Sequence, residues 1–159
     1  MREILPDKLW IGNAGDSRDP EHLLRAGVVA VINLAAEEPS PVLPRSMIYC
    51  HFPIMDGTQD GQGSLDVAIH TLVSLLKNQV PTLVYCGAGM SRSPAVVAAA
   101  LSIVQGGSPE DRLREVVEGH PQDVSPQFWE AVRSLARSKG GATTGSPKEG
   151  GAEENRTNV

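Results

Sequence analysis

The stretch Thr82-Leu83-Val84-Tyr85-Cys86-Gly87-Ala88-Gly89-Met90-Ser91-Arg92-Ser93-Pro94-Ala95-Val96-Val97 changes character twice. It begins as an apolar run that reads as a buried strand, passes through a glycine-containing loop, and continues as an apolar helical pattern as far as Val104. A thiol therefore stands where a strand ends, and an arginine where the next helix begins. Five residues separate Cys86 from Arg92. That is few enough for the chain to wrap one anion and return the guanidinium beside the sulfur. Gly87 and Gly89 let the backbone bend and approach a ligand closely.

This layout suits a phosphate-binding active site. A free thiol titrates near ~8.5 and is only a few per cent ionised at neutral pH, so a nucleophilic cysteine needs positive charge around it. Loop N–H groups, the positive end of the following helix and Arg92 supply that charge at one point. The same donors suit the oxygens of a phosphoryl group: Gly87, Ala88, Gly89, Met90 and Ser91 through the backbone, and Arg92 through a planar fork that lysine lacks. Ser93 is placed to donate a hydrogen bond to the sulfur and make it a better leaving group in a second step. An ordinary buried thiol would leave Arg92 and both glycines unexplained.

Working outward, strand patterns fall at 9–12, 28–34, 47–54 and 82–85, with helical patterns between them. The alternation argues an α/β fold, a central mostly parallel sheet of four to five strands flanked by helices. Leu65, Ile69, Leu72, Val73 and Leu76 recur at helical spacing over 64–79, so that helix should cover one face of the sheet. The segment 95–104 is apolar nearly all round, as a central buried helix is. Ser108-Pro109 and Ser125-Pro126 announce two later helices, each with serine as N-cap and proline at the first helical position. Phe128, Trp129, Val132, Leu135 and Ala136 then form a stripe best explained by core packing. Asn33, inside an apolar strand, reads as a hydrogen-bonded core amide, with bracing of the loop as the second role it offers.

With these residues in view, the chain resembles the dual-specificity branch of the cysteine-dependent protein tyrosine phosphatases, as a small atypical member. The resemblance covers about residues 2 to 139, and its most specific part is the loop from Cys86 to Ser93. Leu9-Trp10-Ile11-Gly12-Asn13, Leu23-Leu24-Arg25-Ala26-Gly27-Val28, Val31-Ile32-Asn33-Leu34-Ala35 and Phe52-Pro53-Ile54-Met55-Asp56 carry the rest. It implies a three-layer phosphatase fold in which Cys86 attacks phosphorus to give a phosphocysteine. Arg92 then binds the phosphoryl oxygens, and water releases phosphate. The family usually has histidine before the cysteine, where this chain has Tyr85. The tyrosine hydroxyl is expected to offer a different hydrogen bond.

A leaving alkoxide or phenolate needs a proton, and the segment Met55-Asp56-Gly57-Thr58-Gln59-Asp60-Gly61 offers two donors. Asp56, at the end of a strand pattern and thirty positions before Cys86, is favoured over Asp60 and matches the family's acid by placement. Thiolate and carboxylic acid together imply a rate maximum on the acid side of neutrality.

With 159 residues, the chain suits one catalytic domain over 1–138 and a Gly/Ser/Glu-rich tail over 139–159 that is expected to be disordered. A hydrophobic fraction of 40% with only 4% aromatic residues implies a core of Val, Leu, Ile and Ala. No signal-peptide pattern or spanning stretch is present, so the expectation is a cytoplasmic protein and a monomer. Cys50 and Cys86 make no disulfide framework, and His22, His51, His70 and His120 are scattered, so no metal or cofactor is implied. Cys50 reads as a packed thiol, a protective bridge to Cys86 being the alternative. The net charge of -5 and the absence of a basic cluster argue against nucleic acid and anionic membrane as partners. A phosphorylated protein is the expected substrate, on phosphotyrosine and also phosphoserine or phosphothreonine. The chain is too short for the extra loops that build a deep phosphotyrosine-only pocket. A phosphorylated metabolite, a phosphoinositide, an RNA end and a non-catalytic phosphate-reading module are the alternatives; sulfur transfer and arsenate reduction fit the loop's length and mid-chain position less well.

Overall fold

The computed structural model describes residues 1–55 and 62–140, the side chains of Gln62 and Gly140 excepted. Among the described residues five strands form one sheet: β1 (Arg2–Leu5), β2 (Leu9–Asn13), β3 (Ala30–Ala35), β4 (Ile48–Ile54) and β5 (Thr82–Cys86). Their spatial order is β1-β2-β5-β3-β4. Only β1 runs antiparallel to its neighbour; β2, β3 and β4 are joined in parallel through β5 and β3. The expected mostly parallel sheet is therefore present, with β5 at its centre. In a parallel sheet the strands finish at one edge, and that edge is where loops from different strands converge.

Strand alternation divides the core. Leu9, Ile11, Ile32, Leu34, Val84 and Cys86 point to one face, and Trp10, Val31, Leu83 and Tyr85 to the other. The first face is covered by α2 (Gln62–Lys77), α3 (Arg92–Gln105), α4 (Pro109–Val117) and α5 (Pro126–Gly140). The second receives Leu23 from the short α1 (Pro20–Arg25). Arg92 to Ser102 of α3 are all buried, because this helix lies between the sheet and the outer helices. Its alanines at 95, 98, 99 and 100 allow that close approach.

Both serine-proline starts form as expected. The Ser108 hydroxyl accepts from the Asp111 amide at 3.1 Å and the Ser125 hydroxyl from the Phe128 amide at 3.3 Å. Helix α5 continues through Gly140, with Lys139 paired to Asp66, so helical order passes beyond the point where the composition turns polar. The rest of the tail, 141–159, lies outside the described residues.

Candidate active site

Strand β5 delivers Cys86 to the end of the sheet, and α3 starts six residues later. The sulfur is buried, 1% exposed, while Ala88 at the crest of the loop faces solvent. The Sγ of Cys86 lies 3.3 Å from the Oγ of Ser93, itself fully buried in the first turn of α3. Ser91 caps that helix by position, without a side-chain cap bond. The Cys86 sulfur, the Ser93 hydroxyl and the helix N-terminus are thus brought together as the spacing indicates.

Two outward bonds hold the loop in an arc. The carbonyl of Gly87 accepts from the Ala14 amide at 3.1 Å, and that of Met90 from the Asp123 amide at 2.9 Å. Ala14 is kept in place by a stiff turn: the Asn13 side chain accepts from the Gly15 and Asp16 amides, and the Asp16 carboxylate from the Asn13 amide. Between the turn and the loop opens a groove of about 300 Å³, bordered by Gly12, Asn13, Ala88, Met90 and His120. Gly89 is where the arc touches its support. Its φ is +77°, and a Cβ there would stand 2.8 Å from the Gly12 carbonyl oxygen. Gly89→Ala is expected to cost about 1–3 kcal/mol of stability, read from urea unfolding, because both the backbone conformation and the contact resist a methyl group.

Arg92 is buried, with 3% of its side chain exposed. Its Nη1 donates to the Ile54 carbonyl and to the Glu37 carboxylate, each at 2.7 Å, and its Nη2 donates to the second Glu37 oxygen. Glu37 stands two residues beyond the end of β3, on the edge where β5 also ends. Sequence reasoning missed it. The only signal was its position just past a parallel core strand. The Arg92 hydrogen bond is the main cause that holds the Glu37 carboxyl below the usual range. A carboxyl lowered on folding stabilises fully above its unfolded pKa of about 4.3, and the contribution disappears as pH falls through the lower folded value. The stability difference between wild type and Glu37→Gln should therefore be constant near neutrality and close below about pH 4.3, as measured by urea unfolding across pH.

Tyr85 does not point at the sulfur. Being next to Cys86 on a strand, it projects from the opposite face, fully buried. Ser17 and Tyr49 are its hydroxyl neighbours, Ser17 giving its own proton to the Ala14 carbonyl. Burial above all pushes the phenol pKa up, so it stays neutral. Asn33 is hydrogen-bonded as expected of a core amide, but to the Ala35 amide and the Tyr49 hydroxyl. Neither partner belongs to the loop.

Cys50 is a partly buried free thiol whose pKa burial raises. It sits level with Val84, two strands away across Ile32. Two strand spacings and two residues along the chain place its Cα roughly 12 Å from that of Cys86, whereas a disulfide needs less than about 7 Å. A direct bridge between them requires the sheet to open. Asp56 and Asp60 lie outside the described residues; Met55, immediately before them, follows the end of β4 whose Ile54 carbonyl contacts Arg92. Among the described residues there is no cluster suited to a metal ion, and no helix is long and apolar enough to cross a membrane.

Known proteins show the same arrangement of sequence and fold. The family model described as "Polymorphic toxin system, DSP-PTPase phosphatase" matches residues 12–107. Dual specificity protein phosphatase Mpk3 of Drosophila melanogaster is 34% identical over 79% of this chain, which spans only 31% of that protein. Dual specificity phosphatase 28 of Mus musculus is 31% identical over 76% of this chain and 75% of its own length. The crystal structure of human DUSP28 superposes with a TM-score of 0.76 at 26% identity, covering 87% of this chain and 96% of the other. Since the match extends over most of the domain and over most of a relative of similar size, this chain belongs to the dual-specificity phosphatase family.

Proposed function

We propose that this chain hydrolyses phosphate monoesters on proteins, phosphotyrosine together with phosphoserine or phosphothreonine, without a metal. The observation that carries the reading is the buried Cys86 sulfur 3.3 Å from the Ser93 hydroxyl, at the start of a loop that opens α3 and ends on the buried, anchored Arg92. In the first step the Cys86 thiolate attacks phosphorus, the phosphorus–oxygen ester bond breaks, and the departing oxygen takes a proton from Asp56. In the second, water attacks the phosphocysteine and phosphate leaves. The electron pair returns to sulfur, where a hydrogen bond from Ser93 eases the departure. Backbone N–H groups of Gly87, Ala88, Gly89, Met90 and Ser91 and the guanidinium of Arg92 hold the non-bridging oxygens in both steps. Chemistry through a free thiolate fits a reducing compartment such as the cytoplasm.

The test is a panel of phosphotyrosine, phosphoserine and phosphothreonine peptides, a phosphoinositide and a phosphorylated RNA end, assayed without added metal from pH 4.5 to 8.5. Protein phosphatase activity predicts turnover of the peptides above the others, with a bell-shaped profile whose alkaline limb moves or flattens in Asp56→Asn. Turnover confined to the lipid or the RNA end would transfer the same chemistry to that substrate. Peptide binding with no turnover would make the site a phosphate reader.

A further inference from the structure

We propose that the groove beside the Cys86–Arg92 loop is a substrate subsite for a carboxylate side chain one or two residues from the phosphorylated one, with Arg2 as its principal cation. The inference rests on the reading of this chain as a phosphatase of proteins, and names what a preferred peptide carries next to its phosphate. The groove, of about 300 Å³, is lined by Met90 of the loop, Arg2 and Ile11 of the first two strands, and His120 of the segment between α4 and α5. Strand pairing sets its distance from the sulfur. Arg2 lies opposite Ile11, Ile11 opposite Val84, and Asn13 opposite Cys86. Register partners share a face of the sheet, so Arg2 stands on the same face as Ile11 and Cys86. Two strand spacings and two residues along the chain place its Cα roughly 12 Å from that of Cys86. An extended peptide advances about 3.3–3.6 Å per residue, so a residue one or two positions from a phosphorylated side chain seated on the loop comes level with the groove.

Positive charge without a partner is what the groove offers. Arg2 is half-buried, and burial pushes its guanidinium below the ordinary value with no carboxylate to raise it again. Among the described residues, neither its side chain nor that of His120 makes a hydrogen bond or an ion pair. Asp16, the acidic residue lining the groove, is already engaged: one oxygen accepts from the Asn13 amide and the other pairs with the Met1 ammonium. A carboxylate entering the groove would replace the water that Arg2 has lost with a charge-assisted bond, which the planar fork can make bidentate. The β3 side of the loop has the opposite character. Glu37 and Glu38 stand there, paired with Arg92 and Arg18. An acidic peptide side chain is therefore repelled from the β3 side and attracted to the β1 side.

The measurement is kcat/KM for phosphotyrosine peptides carrying Glu, Ala or Lys at each of the two positions on either side of the phosphotyrosine, with para-nitrophenyl phosphate as a substrate that has no flanking residue. Wild type is expected to favour Glu over Ala by about threefold to tenfold at one of these positions, chiefly through KM, and the preference should shrink at high salt. Arg2→Gln should bring the ratio of Glu peptide to Ala peptide toward one. Arg2→Glu should turn the preference at the same position toward Lys, a reversal that loss of folding cannot produce. Wild-type protein that turns over the Glu and Ala peptides equally at every position overturns the inference and leaves the proposed activity standing. A preference for Glu that persists unchanged in both Arg2 variants overturns it as well, because another group would then read the carboxylate. Hydrolysis of para-nitrophenyl phosphate with no turnover of any peptide would instead remove the reading as a protein phosphatase, and this inference with it.

Discussion

Cys86→Ser is expected to reduce the hydrolysis of para-nitrophenyl phosphate by at least about 10⁴-fold while leaving the fold and anion binding in place. The sulfur is 1% exposed, and its polar neighbour is the Ser93 hydroxyl at 3.3 Å. A serine oxygen in the same place keeps that neighbour and fills nearly the same volume, so the melting temperature should move little. What it loses is the proposed nucleophile. A hydroxyl ionises far less readily than a thiol, and an unassisted serine needs an adjacent base to attack phosphorus. The helix N-terminus and Arg92 remain, so phosphate or tungstate should still bind with wild-type affinity or close to it. Retention of even a few per cent of the wild-type rate, in protein free of contaminating phosphatase, would show that another group attacks phosphorus.

Arg92→Lys is the second large effect, a loss in kcat/KM of about 10²- to 10³-fold. Conservation of charge does not rescue it. The arginine serves the Glu37 carboxylate and the Ile54 carbonyl at the same time as it faces the loop, through a rigid planar fork. An ammonium is a single point with three donors, and its stem is shorter, so it can satisfy one side at the expense of the other. The Ile54 carbonyl would then lose a charge-assisted bond in a buried setting, and stability should fall by about 1–3 kcal/mol in urea unfolding. Equal losses in kcat and kcat/KM would place the defect in the transition state, whereas a rise in KM alone would place it in uniform binding of the phosphate group. Wild-type kcat/KM in Arg92→Lys would mean that the bidentate geometry is irrelevant and that only the positive charge matters.

Cys86, Ser93 and the helix start beside them were legible because their relation is local. The end of an apolar strand, a loop with two glycines and the first turn of a helix bring residues seven positions apart into contact. Any chain with that pattern has little choice. The strands and helices were legible for the same reason, since periods of two and 3.6 residues and serine-proline starts report local geometry. Alternation alone also implies that Tyr85 and Cys86 face opposite sides of the sheet, which is why the tyrosine hydroxyl offers the sulfur nothing directly.

Contacts set by strand order were not legible. Nothing near Glu37 in the sequence marks it as the partner of an arginine 55 positions away. That pairing exists because β3 and β5 are parallel neighbours whose ends share an edge. The same topology separates Cys50 from Cys86 by two strand spacings, and turns Ala14 and Asp123 onto the carbonyls of the loop. The sequence by itself determined the α/β class, the position of Cys86 at a strand end and the local shape of the loop that follows it, through backbone propensity and side-chain periodicity. Only the tertiary structure decided what holds Arg92 in place and which backbone groups pin the arc, because those depend on which strands become neighbours, a choice made by burial of the whole core rather than by any short segment.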